Sequence, residues 1–191
     1  ILISMDKKVV VITGPIGSGK SKVLSIINSL GYNTVDLDVV SGDILLSEES
    51  KDFLSKNFPS SLINGGVSRE NIADIVFSDK SKLEILENFL HPKVLIKLND
   101  IIKKNDDITF IEVSAPKNLH KDFHTVVIWA SKEERIKRLI DRGMEINDIK
   151  NRIKSQPTDE WWHSIGTLII NNDLDQLEID IKNYINGFIN E

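Results

Sequence analysis

The sequence predicts an α/β fold: a parallel sheet covered by helices on both faces. Three observations carry that reading. Short runs rich in Val and Ile alternate with stretches of helical period. The runs are apolar at successive positions, as in strands buried on both faces, and do not alternate with polar residues. A glycine-rich turn joins the first run to the first helical stretch, in "KVVVITGPIGSGKSKV" (residues 8–23). With 191 residues, 40% of them apolar, the chain can build one well-cored domain spanning 1–191.

The first strand is expected over 8–13. A helix follows over 20–30, apolar at Val23, Leu24, Ile26, Ile27 and Leu30, with Gly31 where a helix end favours a left-handed residue. "NTVDL" (33–37) is the second strand. Residues 39–104 are mostly of helical pattern and read as a helical insertion over one sheet edge. Strands at 108–113, 125–130 and 167–170 alternate with helices at 133–142 and 174–189. Strand and helix alternation is what demands a parallel sheet.

Composition narrows the function. The formal net charge of −5 argues against a dedicated nucleic-acid binder, which carries a basic face for phosphates. Cysteine is absent, so disulfides and thiolate metal sites are excluded. The opening "ILISMDKK" is too short and poorly flanked for a signal peptide or membrane span, and Met5 reads as a native initiator after Ile1–Ser4. A cytoplasmic enzyme without a membrane partner, monomeric or a small homo-oligomer, is expected.

Gly14, Gly19, Lys20 and Ser21 fit G-x-x-x-x-G-K-[ST], with a strand before and a helix after. In such a loop, backbone N–H groups curl around the terminal phosphates of a nucleotide and the helix N-terminus adds partial positive charge. Gly14, Ile16, Gly17, Ser18, Gly19, Lys20, Ser21 and the adjoining Lys22 are therefore candidate nucleotide contacts. Lys20 should reach the β and γ phosphates, and Ser21 should ligate Mg2+ with ATP as co-substrate. At the end of the second strand, Asp36 and Asp38 stand two residues apart, so in a strand both would point the same way. Three readings stand for this pair: a base for an attacking hydroxyl, a carboxylate holding magnesium through water, or a cap on a helix starting near Val40.

The succession "TGPIGSGKS", "LGYNTVDLDVV", "GGVSRENIADIVFSD", "LENFLHPKV", "ERIKRLIDRG" and "RIKSQ" resembles the dephospho-coenzyme A kinase family, in order and spacing, from Val9 to Asn172. The resemblance implies a three-layer P-loop kinase fold with a five-stranded parallel core, a helical acceptor-binding insertion and a lid at about 139–163. It implies ATP and dephospho-coenzyme A as partners, with transfer of the γ-phosphoryl to the ribose 3′-hydroxyl. Residue by residue, it makes Asp38 the base with Asp36 in support, sets Thr13 and Arg69 toward the acceptor, and brings Arg138 and Arg142 from the lid side. Arginines closing there can stabilise charge developing on the transferred group. His91, before Pro92 in a helical run, reads as a packing or kink residue.

The chain also departs from the family pattern. After the third strand stands "IEVSAPKNL", where Glu112 either assists the metal or is a strand-end charge. Lys22 replaces the usual threonine, and "EWWH" brings Trp161 and Trp162, which either stack on a ligand or pack in the fold. Two other functions remain open: a related P-loop kinase with another acceptor, and a nucleotide-binding module without catalysis.

Overall fold

Five runs of β-branched and aromatic residues form one sheet in the computed structural model, which describes residues 9–105, 107–116 and 118–190. Lys8 of the expected first strand and the Ile1–Met5 start lie outside the described residues. In chain order the elements begin β1 (Val9–Thr13), α1 (Lys20–Ser29), β2 (Asn33–Asp36), α2 (Leu37–Leu46) and α3 (Glu48–Asn57). There follow β3 (Leu62–Ile63), β4 (Gly66–Val67), α4 (Arg69–Ser78), α5 (Lys80–Lys104), β5 (Thr109–Glu112) and α6 (Leu119–Asp122). The chain closes with β6 (His124–Trp129), α7 (Lys132–Asp141), α8 (Ile146–Ser155), α9 (Asp159–Ser164), β7 (Thr167–Ile170) and α10 (Leu174–Ile189).

The described residues fall into two compact units, one over 36–105 and the other over 9–35, 107–116 and 118–190. In the second, the strand order is β2-β5-β1-β6-β7, and β1 pairs in parallel with both β5 and β6 while β6 pairs in parallel with β7. Every residue of β1 is buried, as its unbroken Val-Val-Val-Ile run requires. Val10, Ile12, Phe110, Val126 and Ile128 point to one face, where Val23 and Ile27 of α1 and Leu177, Ile181 and Ile185 of α10 cover them. This is the i, i+3/i+4 stripe read from the sequence, and α10 keeps the expected 174–189 bounds.

The first unit gathers α2 to α5 around Leu45, Leu54, Phe58, Ile72 and Leu86, and Phe53 stacks on Phe89 with ring centroids 3.8 Å apart. Side chains start three of its helices: Asp36 caps α2, Ser68 caps α4 and Asp79 caps α5. Helix α5 runs 25 residues and continues through Pro92.

One expectation is corrected. Leu37 opens a helix and does not end a strand, because the Asp36 carboxylate takes the first free N–H groups of α2 and stops the extended run there. Residues 39–104 are mostly helical, as expected, with one hairpin among the helices. Asn64 (φ 51°) and Gly65 (φ 80°) form a tight turn that joins β3 to β4 in an antiparallel hairpin.

Candidate active site

Parallel strands bring the C-terminal ends of β1, β5, β6 and β7 to one edge of the sheet, where open α/β sheets bind ligands. The turn from Thr13 to Lys20 leaves β1 at that edge. Gly14 has φ 144°, and a Cβ there would lie 2.0 Å from the Ile128 carbonyl oxygen of β6. Only glycine lets the loop run this close to the neighbouring strand. Gly14→Ala is accordingly expected to lower the unfolding free energy by about 1–3 kcal/mol, seen as a lower urea midpoint at unchanged m.

At its far end the loop enters α1 through Gly19 in the left-handed region, with no side-chain cap on the helix. The uncapped N-terminus carries partial positive charge and open N–H groups, which suit an anion. Lys20 is buried and donates from Nζ to the Gly14 carbonyl at 3.0 Å, so its ammonium folds back along the loop. Ser21 Oγ stands 3.5 Å from Glu112 Oε1, and Glu112 is itself buried at the end of β5. Hydroxyl and carboxylate oxygens are the hard donors that magnesium takes. Among the described residues no cluster of three or more His, Cys, Asp or Glu could hold a metal.

Lys22 and Thr13 flank the loop and bond within the fold. The Lys22 amide donates to the Gly19 carbonyl at 3.0 Å; on α10 the hydrogen bond and charge of Lys182 lower the Glu178 pKa, burial opposes them, and the Lys22 charge adds a smaller lowering. Thr13 is fully buried and donates its hydroxyl to the Val113 carbonyl at 2.7 Å, tying β1 to β5.

Of the arginines in α7 and at its end, Arg138 hydrogen-bonds the loop. Arg138 donates from Nη2 to the Asn171 carbonyl at 2.7 Å and from Nη1 to the Ser18 carbonyl at 3.4 Å. Arg142 is exposed at the end of α7. Arg135, which sequence reasoning passed over, is buried and donates from Nε to the Ala130 carbonyl at 3.0 Å and from Nη2 to Asp159 at 3.2 Å. Burial lowers its pKa while Asp159 and then Glu133 raise it, and a guanidinium stays charged in either case. Gln156, at the end of α8, was also missed as a site residue: its Oε1 accepts the Ile16 N–H of the loop at 2.9 Å. Trp162 is buried and Trp161 packs edge-on against it at 4.9 Å, so packing is the role of this pair.

The remaining residues lie in the first unit. Asp36 Oδ1 accepts from the Asp38 N–H at 2.8 Å and the Val39 N–H at 3.2 Å. Asp36 and Asp38 thus do not share a strand face: one caps α2, and the other is exposed in its first turn. The Arg69 guanidinium packs against Gly42, where a Cβ would lie 2.7 Å from Nη1. Gly42 stands one helical turn beyond Asp38, so the face that carries the carboxylate also receives the arginine.

The family model described as Dephospho-CoA kinase matches residues 8–178. The chain belongs to the dephospho-CoA kinase family. A dephospho-CoA kinase of Thermus thermophilus is 30% identical over 178 residues, covering 90% of this chain and 87% of that protein. A solved Thermus thermophilus structure superposes with a TM-score of 0.86 at 29% identity, over 95% of this chain and 97% of that one. The dephospho-CoA kinase from Campylobacter jejuni superposes with a TM-score of 0.70 at 26% identity, over 95% and 97%. The kinase family thus extends over both units, and a P-loop kinase fold accounts for the loop, the sheet order and the helices on both faces. Among the described residues no helix is long and apolar enough to cross a membrane.

Proposed function

We propose that the protein transfers the γ-phosphoryl group of ATP to the ribose 3′-hydroxyl of dephospho-coenzyme A, the last step of coenzyme A synthesis. The observation that carries the reading is the family match across residues 8–178, a span that holds the phosphate loop, Asp38, Arg69 and the α7 arginines together. In the reaction, the bond from the γ-phosphorus to the bridging oxygen breaks and a bond to the 3′-oxygen forms. ADP leaves, and the hydroxyl proton passes to Asp38.

Each role follows from local chemistry. Loop N–H groups and Lys20 bind the β and γ phosphates, and the Lys20 ammonium meets charge that grows during transfer. Asp36 supports Asp38 by fixing the first turn of α2. Arg69 binds the acceptor, Arg138 serves the nucleotide from α7 on the lid side, and Arg142 serves it from a lid at about 139–163 that excludes water. Ser21 and Glu112 would hold magnesium, which when bound supplies positive charge to the phosphate oxygens. The cytoplasm, where ATP is supplied, is the compartment of this reading.

A panel of acceptors with radiolabelled ATP and magnesium tests it. Label should appear in dephospho-coenzyme A alone, on the 3′-oxygen. Label in another alcohol or a nucleoside monophosphate would make the protein a related kinase with a different acceptor. Tight ATP binding with no acceptor labelled would make it a nucleotide-binding module.

A further inference from the structure

We infer that Asn171, the first residue after β7, is a positioning residue that orients the Gly19 N–H toward a bound phosphate. The inference rests on the proposed binding of ATP at the loop and adds a residue that the motif does not contain. Asn171 is 2% exposed. Its place is set by the sheet: its N–H donates to the Trp129 carbonyl at 2.7 Å, extending the β6 to β7 pairing by one residue. From there the side-chain Nδ2 donates to the Ser18 carbonyl at 2.7 Å, across 153 positions of sequence.

One peptide plane carries the consequence. In a trans peptide the carbonyl of Ser18 and the N–H of Gly19 point in opposite directions. Holding the carbonyl toward Asn171 therefore turns the Gly19 N–H to the other side of the loop. Arg138 reinforces the same orientation, since Nη1 also reaches the Ser18 carbonyl at 3.4 Å while Nη2 grips the Asn171 carbonyl at 2.7 Å. Gly19 fits beneath the amide only because it lacks a side chain: a Cβ would lie 2.2 Å from Asn171 Nδ2. Two side chains from separate segments thus set one N–H before any ligand arrives, and a donor fixed in advance binds without the cost of ordering it.

Asn171→Asp replaces the donating amide with a carboxylate facing the Ser18 carbonyl, and Asn171→Ala removes the donor without adding charge. Both should raise the ATP Kd about tenfold while leaving the KM for dephospho-coenzyme A within about twofold of wild type, a split that general loosening of the fold would not produce. With 15N-glycine labelling, the Gly19 amide resonance of the wild type should move downfield on adding ATP and magnesium. In the variants that movement should shrink, with Gly31 and Gly187 unmoved as controls for folding. ATP affinity within about twofold of wild type in Asn171→Ala overturns the inference, as does weakening confined to Asn171→Asp, which would be charge repulsion alone. Should neither variant fold, the wild-type spectrum decides, since a Gly19 resonance indifferent to bound ATP overturns the role. Failure of the wild type to bind ATP would instead overturn the proposed function, and this role with it.

Discussion

Lys20→Ala is expected to cut turnover by about two to three orders of magnitude while the protein stays folded. The ammonium is held beside the loop by the Gly14 carbonyl at 3.0 Å, so its position is set before substrate binds. Charge on the γ-phosphoryl oxygens and the bridging oxygen shifts as the bond breaks, and a positive group fixed beside them lowers the barrier more than it lowers the ground state. Alanine supplies no charge there. It does suit the first turn of α1 at least as well as lysine does, so helix propensity gives no reason for unfolding. The ATP Kd should therefore rise by less than turnover falls, and the melting temperature should change little. Turnover within about threefold of wild type would remove Lys20 from the reaction.

The phosphate loop and the core were legible because their information is local. The unbroken Val and Ile run of β1, the stripe along α10 and the glycine spacing before Lys20 all sit within a few turns of chain. The α2 start was misplaced because "NTVDL" looks like a strand from its apolar residues, while a single side-chain acceptor at Asp36 decides the boundary. The β3 to β4 hairpin carried its signal in Asn64-Gly65, but the surrounding helical period outweighed it. Gln156 and Asn171 had no local signal at all. They touch the loop from 140 and 153 positions away, and such partners appear only when the sheet and the α7 to α9 stretch are folded.

The same contrast between local and distant information bears on the catalytic base. Asp38 stands exposed in the first turn of a helix that Asp36 has already capped, so the fold does not need the Asp38 carboxylate to start α2. Asp38→Asn keeps the shape and removes the capacity to accept a proton. Turnover should fall by about 10²–10⁴, with the ATP Kd changed by less than about threefold. The opposite pattern, with ATP affinity collapsing while transfer within the bound complex proceeds at the wild-type rate, would move Asp38 out of proton transfer and into structure or metal binding. Asp36→Asn supplies the matching control: its Oδ1 still accepts the Asp38 and Val39 N–H groups, so α2 should persist and most of the turnover with it.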